Sequence, residues 1–252
     1  MQNHQEPSMS QLRYRTRLAE SGADLDAVQR LRYQAFCAGK AGTGGRDADA
    51  FDDRCSHIMV EHGERRELVA TLRLMRLASG RDIQLSYSAQ HYDLSRLSGY
   101  DGTMIEVGRF CNLPGHFDPG SLHAAWGALA AFVDRSGAGM LFGCSSFQGT
   151  RAGAYADAFA MLGDQHLAPR HWRPRIKAPD VLRFARRYRR APDRAKALRT
   201  MPPLLRSYLS LGGWVSDHAV VDRDLDTLHV FTALEVRAIP PSRVRVLRAA
   251  AG

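Results

Sequence analysis

Segments of strand period and segments of helix period alternate along this chain, and each must bury its apolar side against another element. That alternation restricts the fold more than any other feature. Leu12 to Leu18 (LRYRTRL) alternates apolar with basic residues and predicts an amphipathic first strand. Asp24 to Cys37 places Leu25, Val28, Leu31 and Ala35 or Phe36 on one helical stripe. His57–Glu61 and Leu68–Leu77 read as a hairpin around the turn-like HGERRE. Met104 to Cys111 (MIEVGRFC) is a strand that stops at Asn112-Leu113-Pro114-Gly115. Ser121 to Asp134 is a helix, ended by Gly137, with Leu122, Ala125, Trp126, Leu129, Phe132 and Val133 as its apolar face. Met140 to Ser146 reads as a strand, Arg151 to Leu162 as a helix and Pro202 to Leu211 as a short helix. Trp214–Val221 and Thr227–Val236 read as two closing strands. This order predicts a three-layer α/β fold around a mostly antiparallel central sheet. The expected organisation is one domain over 12–240 with a basic insertion at about 170–211, flanked by tails at 1–11 and 241–252.

Of 252 residues, 44% are apolar and 24% charged, which excludes a disordered chain, a fibre and a polytopic membrane protein. The longest nearly uncharged run, Leu113 to Val133, contains Asp118, two histidines, Pro and Gly, so it fails as a membrane span. The polar N-terminus lacks an apolar export segment, and the expectation is a cytoplasmic protein. Cys37, Cys55, Cys111 and Cys144 are scattered, without zinc spacing, and read as reduced thiols; no metal site is expected.

The net charge of +9 is uneven. Between Arg170 and Arg199 twelve Lys and Arg stand against Asp180 and Asp193 alone. A patch of this sign suits an acidic partner, whether protein, anionic lipid or nucleic acid; a solvated helix face is the plainer reading.

No GxxxxGK[ST], GxGxxG or HExxH is present, and GCSSFQG (143–149) does not satisfy the G-x-S-x-G nucleophile elbow. What stands out is Glu106 and Arg109 inside an otherwise apolar strand. Buried unpaired charges cost several kcal/mol, so both must meet partners. Residues three apart on a regular strand face opposite sides, and a bulge at Gly108 is expected to bring them toward one face. A structural salt bridge and a functional site are both open on this strand alone. Cys144 invites covalent catalysis, but a lone strand cysteine without a paired histidine reads as core.

Taken together, Arg32…Phe36, Asp47-x-Asp49-x-x-Asp52, Arg73 in VATLRLM and Glu106-x-x-Arg109 resemble the GNAT-superfamily branch that uses acylated carrier proteins. That branch holds the acyl-homoserine-lactone synthases and the L-ornithine Nα-acyltransferases. Phe51-Asp52-Asp53-x-Cys55-x-His57, Pro202-Pro203-Leu204-Leu205-x-x-Tyr208-Leu209, Leu211-Gly212-Gly213 and Asp222-x-Asp224 are similar to the latter. The resemblance runs from about Leu12 to Val236 and departs at Arg151, where an acidic residue is expected.

The resemblance implies a GNAT fold whose strands 104–111 and 140–146 splay, so that the donor's pantetheine arm enters beside Phe110, Cys111, Cys144 and Ser145. Phe36 and Phe110 also read as plain core residues. It implies Glu106 as the catalytic residue, as base or as binder of the amine. Arg109 or Arg73 then clamps the substrate carboxylate, Arg32 is a further substrate-binding residue, and Asp49 and Asp52 receive the side-chain ammonium or order the Gly-rich loop. Residues 112–120 lack the pyrophosphate-binding pattern of coenzyme A users, which favours a donor carrying phosphopantetheine alone. No resident cofactor is then expected. The implied partners are L-ornithine and an acidic acyl carrier protein docking on Arg183, Arg186, Arg187, Arg189 and Arg190, with a peripheral contact to anionic membrane as a further expectation. Two readings compete. An acyl-homoserine-lactone synthase would need S-adenosylmethionine. A basic module for nucleic acid or membrane would explain 170–199 but leave Glu106, Arg109 and the acidic loop without a role; no nucleic acid is expected.

Overall fold

A computed structural model describes residues 13–37, 45–63, 66–116 and 118–249. The expected N-terminal tail 1–11, the start of the first strand at Leu12, most of the Gly-rich stretch (38–44), the middle of the HGERRE turn and the end of the C-terminal tail lie outside them. In chain order the elements are β1 (Tyr14–Leu18), α1 (Gly22–Cys37), β2 (Ser56–His62), β3 (Glu67–Leu77), α2 (Ser88–His91), β4 (Tyr92–Asp93), β5 (Met104–Asn112), α3 (Pro119–Ser136), β6 (Met140–Gln148), α4 (Ala156–Gln165), β7 (Arg175–Ile176), β8 (Val181–Leu182), α5 (Phe184–Arg187), α6 (Arg194–Thr200), α7 (Pro203–Ser210), β9 (Trp214–Asp222), β10 (Thr227–Glu235) and α8 (Pro241–Ala249). The ladders β1–β2, β2–β3, β6–β10, β9–β10, β8–β9 and β4–β7 are antiparallel, and β5–β6 is parallel. A parallel neighbour needs a crossover rather than a hairpin, and α3 supplies it.

The chain divides into two compact units. One takes the chain up to Met75, Val107–Gly137 and the segment from Pro241; the other takes Arg76–Glu106 and Ala138–Pro240. Strand β5 therefore contributes to both. In the first unit the strand order is β1-β2-β3-β5, with α3 against β1 and β2. Local chemistry explains where the helices begin and end. Ser21 and Asp24 cap α1 reciprocally: Ser21 Oγ accepts from Asp24 N–H and Asp24 Oδ2 from Ser21 N–H. Asp118 caps α3 by accepting from Gly120 N–H, with Pro119 in the first turn and Gly137 at φ +62° closing it. The buried stripe of α1 carries Val28 and Leu31, as its period predicts, but also Gln29 and Arg32. The expected C-terminal tail is a finding of a different kind: 241–249 is a helix lying on α3.

The second unit has the order β5-β6-β10-β9-β8. The expected helix at Arg151–Leu162 opens as a 3₁₀ turn (Ala152–Tyr155) because Arg151 offers no side-chain cap; Tyr155 Oη instead donates to Gln148 O at 2.6 Å. The basic segment is woven into the core. Val181 and Leu182 pair with Val220 and Ala219, while Phe184, Ala197, Met201 and Leu205 bury against Phe147, Phe159, Leu162 and Val215. Its charges are left outside by default, since α5 to α7 are amphipathic.

Candidate active site

The residues anticipated from sequence fall mainly into two constellations, one in each unit. In the first, the acidic loop turns back onto α1, β3 and β5. Arg32 is fully buried; its Nε donates to Asp47 Oδ2 at 2.8 Å, and its Nη1 and Nη2 form a fork on Asp52 at 2.8 and 3.0 Å. Arg32 Nη2 also bonds Asp47 O. Arg73 Nη1 reaches Asp49 at 2.5 Å and Asp52 at 2.7 Å. Arg109 Nε meets Asp47 at 3.0 Å and its Nη2 meets Asp49 at 3.3 Å. Gln29 donates to Asp52 Oδ2, and buried His57 bonds Asp52 O through Nε2. Burial alone would raise the Asp52 carboxyl, but the hydrogen bonds from Arg32 and Arg73 outweigh it and hold the group well below the usual carboxylate range. Burial pushes the His57 imidazole down, against the pull of Asp52.

Three guanidiniums thus face three carboxylates. Arg32, Arg73 and Asp52 form a dry end, with side chains 1%, 5% and 3% exposed, while Asp47, Asp49 and Arg109 form a wetter rim at 15%, 23% and 15%. The irregularity expected at Gly108 falls instead on Arg109, whose φ of +51° is left-handed. Such a conformation costs a non-glycine residue about 1–3 kcal/mol, and the two aspartates hold it. Phe110 is half-buried nearby in sequence, and Cys111 lies inside, where burial pushes its thiol up to about 12.

In the second unit Glu106 occupies the last rung of the β5–β6 ladder. That ladder comprises Met104↔Met140, Ile105↔Leu141 and Glu106↔Phe142, whereas β6 goes on pairing with β10 as far as Gln148. From Gly143 onward, among the described residues, β6 has β10 on one edge and no β5 ladder on the other. The ladder thus ends at Glu106, on the strand pair where the splay is expected. The carboxylate is 5% exposed and is gripped by a turn: Oε2 accepts from Tyr87 N–H at 2.8 Å, and Oε1 from Ser88 N–H at 2.7 Å and Ser88 Oγ–H at 2.6 Å. Cys144 Sγ lies 3.5 Å from Ser88 Oγ, and Ser145 Oγ accepts from Thr232 Oγ1–H. Behind the turn, His91 meets the His229 ring edge-on, and Tyr92 Oη donates to His229 O at 2.7 Å. Burial depresses His229 to about 4.

The residues anticipated from sequence therefore sort cleanly. Arg32, Asp49, Asp52, Arg73 and Arg109 converge; Glu106, Cys144 and Ser145 belong with the β6 edge. Asp47 completes the first group. Tyr87 and Ser88 went unnoticed, because 78–103 has neither period; the Ser86 hydroxyl, which accepts from Ala89 N–H, is the turn signal that marks them. Arg183, Arg186, Arg187, Arg189 and Arg190 are all exposed, but Arg190 Nη1 is tied to Asp157 at 2.6 Å. No group of three or more metal-ligating side chains occurs among the described residues.

A model of the acetyltransferase (GNAT) domain matches residues 31–126. The chain is 34% identical over 240 residues to the L-ornithine N(alpha)-acyltransferase of Rhodobacter capsulatus, covering 90% of this chain and 92% of that one. The chain belongs to the L-ornithine Nα-acyltransferase family. The enzyme of that name from Brucella abortus is 32% identical, with 88% and 84% covered. Among solved structures, FeeM, an N-acyl amino acid synthase from uncultured soil microbes, shares the fold at a TM-score of 0.50 and 12% identity, covering 89% of this chain and 93% of its own. The protein is accordingly an acyltransferase of GNAT fold.

Proposed function

We propose that this acyltransferase moves a (3-hydroxy)acyl group from the phosphopantetheine thioester of an acyl carrier protein to the α-amine of L-ornithine, giving lyso-ornithine lipid and free carrier thiol. The observation that carries this reading is the end of the β5–β6 ladder at Glu106. Past it the backbone groups on one edge of β6 can bond the pantetheine amides and the thioester oxygen, which puts the reacting carbonyl beside a fixed carboxylate. The relatives from Rhodobacter capsulatus and Brucella abortus, both L-ornithine N(alpha)-acyltransferases, support ornithine as the acceptor.

Most of the rate then comes from holding amine and thioester together. An α-ammonium of pKa about 8 or above and an unperturbed glutamate at about 4.3 differ by roughly 4 units, or about 5 kcal/mol for direct transfer. Glu106 therefore first binds the ammonium; once that group has given one proton to water, the neutral amine attacks the thioester carbonyl, and the second proton it sheds as the carbon–sulfur bond breaks ends on the departing carrier thiolate. Within the first unit, Arg109 and Asp49 at the wetter rim are this reading's candidates for the ornithine carboxylate and side-chain ammonium, while Arg32, Arg73 and Asp52 hold the loop. Within the second, Cys144 and Ser145 on the β6 edge are its candidates for contact with the donor arm, which brings the only cofactor this reading needs. Exposed Arg183, Arg186, Arg187 and Arg189 steer the acidic carrier, while Arg190 serves the fold through Asp157. No helix among the described residues is long and apolar enough to cross a membrane, so contact with a bilayer is peripheral in this reading.

The test is thiol release from an acyl carrier protein thioester across a panel of amines. Ornithine-dependent release with an Nα-acyl product supports the reading. Release with a different amine alone, or only with S-adenosylmethionine present, overturns it.

A further inference from the structure

One residue outside the anticipated set touches both Glu106 and the freed edge of β6. Ser88 gives two hydrogen bonds to Glu106 Oε1, from its amide and its hydroxyl, and the same hydroxyl oxygen lies 3.5 Å from Cys144 Sγ. With its hydrogen committed to the carboxylate at 2.6 Å, the serine oxygen presents lone pairs to the thiol, so Cys144 is the donor of that contact. Cys144 stands two residues past Phe142, the last β6 residue on the β5 ladder. The turn is itself secured: buried Ser86 Oγ donates to Ile83 O at 2.6 Å and accepts from Ala89 N–H at 3.2 Å.

We propose that Ser88 is a positioning residue for acyl transfer, bridging Glu106 to Cys144 and fixing the direction of the carboxylate where β6 leaves β5. The inference rests on Glu106 acting on the amine, as proposed above. A hydroxyl donating to a carboxylate favours its ionised form, so losing it makes Glu106 easier to protonate. The titratable and charged groups around this turn are Tyr87 and His91 on the turn and α2, Lys177, whose Nζ donates to Ala89 O at 2.6 Å, Cys144 on β6, His229 on β10, and Tyr92 with His218 behind them. Burial holds His229 near 4, within the range where a carboxylate titrates, so the acid limb is assigned to Glu106 by its loss in Glu106→Gln rather than by its position alone.

The experiment is the pH profile of kcat/KM with an acyl carrier protein thioester and ornithine for Ser88→Ala, Ser88→Thr, His91→Gln and Glu106→Gln, with thermal melts to establish folding. For Ser88→Ala, kcat falls about tenfold, KM for the carrier stays within about twofold, and the acid limb moves to higher pH. Ser88→Thr, which keeps the hydroxyl, returns the limb, and His91→Gln leaves it in place. Should Ser88→Ala fail to fold, Ser88→Cys, a weaker donor, carries the test with a smaller shift in the same direction. An unmoved limb in these variants, no rescue by threonine, or a limb that vanishes with His91→Gln overturns the role of Ser88. Full activity in Glu106→Gln overturns instead the assignment of Glu106 on which it rests.

Discussion

The acidic-loop cluster of the first unit and the Glu106 turn of the second both bury carboxylates, yet they satisfy them in opposite ways. Asp47, Asp49 and Asp52 meet guanidiniums, three charges against three, and the cluster is neutral as a whole. Glu106 accepts from two amides and a hydroxyl of one turn. Neutralised charge ties a loop to α1, β3 and β5. In the proposed reading the carboxylate held by the turn meets the substrate ammonium, while the ion-paired cluster holds its loop and offers only its wetter rim, Asp49 and Arg109, to substrate.

The sharpest way to break this division is Glu106→Gln. The amide keeps the shape of the side chain but loses the charge, so kcat should fall about 10²–10⁴-fold while the protein still melts cooperatively. Comparable activity, or global unfolding, would put Glu106 among the structural charges. Arg32→Ala is the mirror experiment: stranding buried Asp52 costs about 3–5 kcal/mol, read as a lower midpoint in urea, and lysine should restore little because it lacks the fork. Asp52 adds a pH signature. Its carboxyl is lowered in the folded state, so its stabilisation is present above the ordinary carboxylate value of about 3.9 and drains away as pH falls below it. A wild-type midpoint that held level on acidification through that region would contradict the clamp.

Asp49→Asn probes the boundary between the two kinds of charge. At the wetter rim it should raise KM for ornithine about tenfold and lower stability far less than Arg32→Ala; equal losses of stability would make the whole cluster structural. The smallest effect belongs to the surface. Reversing Arg186, Arg187 and Arg189 to Glu should raise KM for the carrier several-fold at low salt, with the gap closing as ionic strength rises, and leave turnover of a short acyl-pantetheine unchanged.

Much of this was legible in the chain. Hydropathic period located β2, β3, β5, α3, β6, β9 and β10 to within a residue or two, because each buries one side against neighbours that hardly depend on the fold's details. It failed over 78–103, where short 3₁₀ turns have no period, and at 241–249, where a basic helix reads as a tail. Charge inside an apolar strand marks Glu106 and Arg109 as residues that need partners, and both have them in the fold.

What residue types and spacing determined by themselves was the set of elements and the list of charges that could not stay unpaired. Tertiary structure alone decided who satisfies whom: Arg109 turns to Asp47 and Asp49 through its own left-handed backbone, and Glu106 is gripped by a serine eighteen residues upstream. The reason is physical. Burial is written locally, in the alternation of apolar and polar side chains, whereas a hydrogen bond or ion pair is a matter of a few tenths of an ångström between segments that only folding brings together.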